Sequence, residues 1–175
     1  APPNGSHTSL AELHRAGKLH RIVTQNIDKL HQRAGVPESL VRELHGNCFG
    51  AKCLTCGRSQ DREAIHTALA GGATENPACF ACGGPVKVTT IAFGQPLPND
   101  VITGAEMDFD ACDLVVIMGT GLLVRPANEL PLRALARGVP VVIVNLGDTP
   151  LDKHAHLVVR EPCGTFMSQV MELLR

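Results

Sequence analysis

The stretch "DLVVIMGTGLLVRPANELPLRALARGVPVVIVNL", Asp113 to Leu146, holds two Val- and Ile-rich runs separated by a segment of helical spacing. Each run is short, apolar without alternation, and ended by small or amide residues, the pattern of a strand covered on both faces. Working outward, "RIVTQ" (Arg21–Gln25), "TTIAF" (Thr89–Phe93) and "AHLVVR" (Ala155–Arg160) read as further strands. Ser9 to Glu12 fits a capping box that opens a helix with Leu10 and Leu13 on one face and Gly17 as its stop. A second helix is expected from Lys29 to Ala34, capped by Asp28 and ended by Gly35, and a last one over "TFMSQVMELL", Thr165 to Leu174. Alternation of this kind predicts an α/β domain with a parallel sheet.

The totals limit what such a domain does. At 175 residues, 44% hydrophobic and 19% charged, the chain has enough apolar material for one substantial core, which argues against disorder. A formal net charge of -1, with charges spread along the chain, gives no electrostatic footprint for nucleic acid and no polybasic membrane anchor. No apolar run reaches the roughly 18 residues of a membrane span, and the start "APPNGSHTS" lacks the build of a secretion signal. The expectation is an intracellular, cytoplasmic protein. With five Phe and neither Trp nor Tyr, a stacking platform for bases is not expected.

Between Cys48 and Pro85 the composition changes to clustered Gly, Cys, Asn and Pro around one helical stretch, "DREAIHTALA". Cys53, Cys56, Cys79 and Cys82 form the pattern C-x2-C-x22-C-x2-C, with Gly57, Gly83 and Gly84 directly after the pairs. Two such knuckles complete a tetrahedral thiolate site, and four protein ligands leave no place for a reactive water, so the expected metal is one structural zinc. Redox pairs and free buried thiols are the alternatives, and neither accounts for the glycines. Cys48 lies near the first knuckle as a competing ligand at the wrong spacing; Cys112 and Cys163 read as small buried residues.

In parallel sheets ligands bind beyond the carboxyl ends of strands. Three such ends carry small or amide residues: Gln25, Asn26 and Asp28 after the "RIVTQ" strand; Gly119, Thr120 and Gly121; and Asn145. "ELHGN" sets His45 beside Gly46, just before the cysteine module. An extended ligand bearing phosphates and sugars suits three ends of this kind, although Asn26 and Asp28 also serve as ordinary helix caps and glycine turns are common without ligands.

"PNGSHTSLAEL", "GKLHRIVTQNIDKLHQRAG", "ELHGN", the two Cys-x-x-Cys pairs, "IAFGQPLP", "GTGLLVRPANELP" and "VNLGDTPLD" occur in the order found in the sirtuins, and the chain resembles that family from about Pro3 to its end. The resemblance implies a Rossmann-like part, residues 1–47 and 88–175, with a zinc-binding module inserted at 48–87. It implies an NAD-dependent protein lysine deacetylase or deacylase that transfers an acyl group from a protein lysine to ADP-ribose. In that pattern His45 is the general base, and Asn26 and Asp28 handle the ribose and the nicotinamide carboxamide, with Gln25 and Ile27 lining their pocket. Gly119, Thr120 and Gly121 lie near phosphate and ribose, Asn145 and Leu146 near adenosine, and Cys163 at the last cofactor contact. Phe93, Gly94 and Gln95 on one side, and Leu122 to Val124, with Leu123 and Val124 foremost, on the other, hold the acylated peptide as an added strand. His31 is expected to pack beneath the site.

Three departures stand against the family pattern. Residues 1–9 contain only Gly5, with no strand before it, so the Gly-Ala-Gly cofactor loop has no counterpart and an open sheet edge is expected. A longer reading frame or a partner chain would supply that segment; otherwise the alternatives are a catalytically impaired zinc scaffold that binds NAD or partners, or a protein ADP-ribosyltransferase. Gly121 stands where Ser is usual, and Gln95 where many members have Glu.

Overall fold

The computed structural model describes residues 1–70 and 78–174. The chain divides into two compact units: Ala1–Thr24, Leu30–Leu44 and Pro98–Arg175 make the first, and Gln25–Lys29 with His45–Leu97 the second.

The first unit starts with helix α1 (Gly5–Arg15). Its cap is Asn4, not Ser9: the Asn4 side chain accepts from the Ser6 and His7 amides, and the Asn4 amide donates to the His7 ring. A helix that begins five residues earlier carries Ser9, Leu10 and Ala11 into its buried face. Gly17, at φ 68, stops it as expected. Strand β1 (Ile22–Thr24) runs parallel to β2 (Val41–Glu43), with the four-residue helix α2 (Leu30–Arg33) between them. Leu10, Ala11, Ile22, Val36 and Met167 form the core beside this pair.

The Asp113–Leu146 stretch forms the two parallel strands and crossover helix that its pattern predicts, but not two strands covered on both faces. Strand β6 (Val115–Met118) and β7 (Val141–Val144) are parallel neighbours, and β8 (Leu157–Val159) joins β7 in parallel. Helix α5 (Leu130–Ala136) connects β6 to β7, and α6 (Cys163–Leu173) closes the chain. Val141, Ile143 and Val144 in the central strand are fully buried, each contributing about 1.5–3 kcal/mol relative to exposure. Only β7 is largely covered on both faces. Val116, Val142 and Leu157 are register partners across the three strands, and Val116 and Leu157 are exposed, so this row forms an open face of the sheet. The parallel layer is divided as well: β1–β2 and β6–β7–β8 are separate sheets.

Helix α4 (Asn99–Ala111) had no clear signal in the sequence. Its buried face consists of Ala105 and Asp108, and Asp108 is tied to Arg21 at 3.1 Å and Arg42 at 2.7 Å. An aspartate at a buried helical position hides the apolar period. Gly104 lets the helix approach, because a Cβ there would strike the Arg42 guanidinium.

The second unit is an antiparallel sheet in the order β4–β3–β5, from β3 (Gly50–Cys53), β4 (Ser59–Asp61) and β5 (Val86–Val88), with helix α3 (Arg62–Ala70) following β4. The strand expected over Thr89–Phe93 lies earlier, at Val86–Val88, and is antiparallel. The ladder continues only through the Thr89 amide, which donates to the Gly50 carbonyl; the chain then turns so that the Ile91 amide donates to the carbonyl of His45. These bonds lie within the second unit, which runs to Leu97. Residues 71–77 of the expected cysteine module lie outside the described residues.

Candidate functional site

The second unit contains both the polar turn after β1 and His45. Two main-chain bonds and one from a side chain organise it: the Cys48 amide donates to the Ile27 carbonyl at 3.0 Å, the Ile91 amide to the His45 carbonyl, and His45 Nδ1 lies 3.0 Å from the Gln25 carbonyl oxygen. A carbonyl only accepts, so Nδ1 carries the proton of the neutral ring and Nε2 is left as its basic nitrogen. Gly46 follows at φ 66, packed so closely on Thr89 that a Cβ would overlap that residue's carbonyl. Asn26 and Ile27 are exposed, while Gln25 and Asp28 are half-buried. Helix α2 begins at Leu30, because Lys29 adopts φ 55, a left-handed conformation that a lysine does not announce. His31 lies within that helix.

In the same unit Phe93 is 98% exposed at the tip of a turn, with Gly94 at φ 81. The Gln95 side-chain oxygen accepts from the Ala92 amide at 3.3 Å and from Lys87 Nζ at 2.5 Å. Gln95 therefore braces the turn, and Phe93 is the side chain that the turn displays.

The four cysteine sulfurs lie within 4.8 Å of one another, with Cys53–Cys82 at 3.6 Å and Cys56–Cys79 at 3.7 Å. Zinc–sulfur bonds of about 2.3 Å in a tetrahedron set sulfur pairs about 3.8 Å apart, so the cluster fits one zinc ion. Gly57 and Gly83 take φ of 71 and 70, which turns amides toward sulfur: Thr55 and Cys56 donate to Cys53, and Ala81 to Cys79. The Cys56 amide, helped by that of Thr55, pulls the Cys53 thiol down to about 6. The Ala81 amide lowers Cys79 in the same way. Cys82 is pushed up to about 12; its bond from the Gly84 amide favours thiolate, but the sulfurs of Cys56 and Cys53 outweigh it. Crowded thiols of this kind need a cation before all four ionise. Cys48 is outside the cluster.

In the first unit the ends of β6 and β7 meet the start of α6. The Gly119 amide donates to the Val144 carbonyl at 3.0 Å, and Cys163 Sγ approaches that same oxygen at 3.6 Å. Gly119 has φ 62, and a Cβ on it would stand 3.6 Å from Cys163 Sγ. Gly119, Cys163 and Asn145, the neighbour of Val144, are thus brought together. Thr120 Oγ1 accepts from the Leu122 amide at 3.2 Å. Leu122 is left-handed at φ 52, with its side chain buried in the core beside β6, and the turn leaves Leu123 and Val124 exposed. Strained backbone of this kind concentrates at functional turns, and here an ordinary leucine hides it from the sequence. Leu146 is exposed, while the Asn145 amide group closes its own loop by donating to the Gly147 carbonyl. Cys112 and Cys163 are half-buried, not fully buried.

Residues 1–126 match the model of the Sir2 family. An NAD-dependent protein deacetylase 1 of Pyrobaculum aerophilum is 39% identical over 99% of this chain, and an NAD-dependent protein deacetylase of Rhodopseudomonas palustris 40% identical over 94%. The chain spans 66% and 64% of those two relatives, about two thirds of their length. Among solved structures, a Sir2 chain with a p53 peptide and NAD+ superposes with a TM-score of 0.91 at 37% identity, covering 99% of this chain and 70% of the other. A Sir2 chain bound to acetylated peptide superposes at 0.92 with 36% identity, covering 99% and 71%. No helix among the described residues is long and apolar enough to cross a membrane. With a parallel α/β unit, a four-cysteine metal module and a family match over 126 residues, this chain belongs to the Sir2 family, the sirtuins.

Proposed function

We propose that this protein is an NAD-dependent protein lysine deacylase, and that residues 25–28, 45 and 119–146 supply its chemistry. The observation that carries the proposal is the His45 hydrogen bond to the Gln25 carbonyl, which leaves Nε2 as a base in the unit that also holds the Gln25–Asp28 turn. An imidazole nitrogen with a free lone pair takes a proton as a general base and returns it as a general acid.

NAD supplies a ribose carbon open to attack by the acyl oxygen and a nicotinamide leaving group. His45 Nε2 would serve as base toward a ribose hydroxyl, so that the acyl group could pass to that oxygen as its bond to the lysine nitrogen breaks and the lysine leaves as free amine. Asn26 orients the ribose or a water, and Asp28 accepts from the carboxamide, with Gln25 and Ile27 as walls. Gly119, Thr120 and Gly121 offer backbone amides to phosphate and ribose; Gly121 keeps its amide although it lacks the usual hydroxyl. Asn145 and Leu146 take the adenosine side, with Cys163 beside them. Phe93, Gly94 and Gln95, with Leu123 and Val124, pair with the backbone of the acylated peptide. Cys53, Cys56, Cys79 and Cys82 hold one structural zinc, whose filled coordination shell keeps it out of the reaction. We place the cofactor-binding part at 1–47 and 88–175, the zinc module at 48–87, and the protein in the cytoplasm.

The test is nicotinamide release with an acetyl-lysine peptide. Release is expected only when NAD and acylated peptide are both present, and His45→Ala is expected to reduce it by at least about 100-fold. Release by the variant at the parent rate refutes the assignment. Transfer of label from NAD to protein without any acyl group would instead identify ADP-ribosylation.

A further inference from the structure

We infer that Arg160, next to the C-terminal end of β8, is a positioning residue for the adenosine side of the NAD site proposed above: its guanidinium holds the loop after β7 in one arrangement before ligand arrives.

The loop from Asn145 to Asp152 is fixed at both ends and open in the middle. At its start, the Asn145 amide donates to the Val159 carbonyl at 3.1 Å, and Arg160 Nη1 donates to the Asn145 carbonyl at 3.2 Å. At its far end Leu151 is buried in the core, and the Asp152 carboxylate accepts from both the amide and the hydroxyl of Thr149, at 3.0 and 2.7 Å. Those two bonds, followed by Arg160, hold the Asp152 carboxyl below the usual carboxylate range. Arg160 Nη2 joins the two ends, pairing with Asp152 and, at 3.1 Å, with Asp148. One planar cation thus spans a main-chain carbonyl and two carboxylates, a fork that a lysine cannot reproduce. Between these anchors Leu146 and Asp148 are exposed, at 69% and 96%, so packing contributes little to the shape of this segment. Without Arg160 the loop keeps the Asn145 bonds to Val159 and Gly147 at its start and the Thr149–Asp152 bonds at its far end, but loses the cation that joins the two ends. Ordering a loop at the moment of binding weakens affinity, so an ordered loop gives tighter binding of whatever Asn145 and Leu146 touch.

The test compares Arg160→Gln and Arg160→Lys with the parent in the full protein. Calorimetry uses NAD, ADP-ribose and nicotinamide mononucleotide, which lacks adenosine; amide exchange of residues 145–149 reports loop order without ligand. Arg160→Gln is expected to weaken NAD and ADP-ribose about tenfold and to speed exchange across the loop. Nicotinamide mononucleotide affinity should stay within about twofold of the parent, as should kcat at saturating NAD, while KM for NAD rises. Arg160→Lys is expected to fall between the two. Unchanged ADP-ribose affinity in Arg160→Gln overturns the inference, and so does an equal loss for all three ligands, which marks general damage. A parent that binds neither NAD nor ADP-ribose defeats the cofactor reading itself and this inference with it.

Discussion

Replacing Gly46 by alanine tests the link between the His45 loop and the strand beyond it. Two costs add. At φ 66, a residue with a Cβ is strained by roughly 1–2 kcal/mol. The new methyl would also overlap the Thr89 carbonyl oxygen and stand 3.0 Å from its carbon and 3.4 Å from Thr90 Cα. These are backbone atoms on a pinned segment: the Thr89 amide is bonded to Gly50, its hydroxyl to the Asn47 carbonyl at 3.0 Å, and the Ile91 amide to His45. Relief therefore requires movement of His45 or of the Thr89–Ile91 segment, and overpacking of that kind adds about 1–3 kcal/mol. The total is roughly 2–5 kcal/mol, by urea unfolding against the parent. Gly17→Ala is the control, since Gly17 has φ 68 but open space around it, and should cost only the strain, about 1–2 kcal/mol. Where Gly46→Ala remains folded, nicotinamide release should fall more than about tenfold, because a His45 displaced by 1 Å loses its geometry. Equal destabilisation by the two substitutions would refute the argument from packing at Gly46.

Two further outcomes are expected. Zinc should be present at about one ion per chain, and chelation or Cys79→Ser should disorder β3–β4–β5 while the parallel sheet remains; amide exchange resolved by residue checks this, and retained protection in β3 after chelation would contradict it. Asp108→Ala should destabilise by about 2–4 kcal/mol, since it leaves two guanidinium groups, each about one-quarter exposed, without their shared carboxylate; a change under about 0.5 kcal/mol in urea unfolding would show that water replaces the carboxylate fully.

The parallel strands were legible because continuous Val and Ile mark pleated backbone, and Asp113–Leu146 contains two such runs with their crossover, although only the second is largely covered on both faces. The metal module was legible for a different reason: thiolate geometry imposes the two-residue spacing and the glycines, and neither depends on the rest of the fold. Helix α4 was hidden because the residue at its buried centre is Asp108, whose partners Arg21 and Arg42 lie 87 and 66 positions away in sequence. Ser9 has the chemistry of a cap, but so does Asn4, and with Asn4 as the cap Ser9, Leu10 and Ala11 lie inside α1 on its buried face. The strand misplaced at Thr89–Phe93 shows the limit of β-branched composition, which marks pleated backbone without choosing its partner.

The candidate site shows the same division between chemistry and conformation. His45, Asn26 and Asp28 stand out as candidates only through the joint order of the surrounding motifs, since alone Asn26 and Asp28 serve equally as ordinary helix caps. What holds them does not show in side-chain type: Lys29 and Leu122, common residues in a left-handed conformation, shape the turns after β1 and β6. Leu122 illustrates the physics. Its backbone strain, of order 1–2 kcal/mol, is offset by burial of its side chain at 4% exposure, of order 2 kcal/mol or more. The same burial leaves Leu123 and Val124 facing solvent. Replacing Leu122 by glycine would remove the strain and the anchor together, so the turn would become easier to form and less well defined. A turn set by such a balance can display two apolar residues in water without collapsing onto the core, which is what docking of an extended peptide backbone requires.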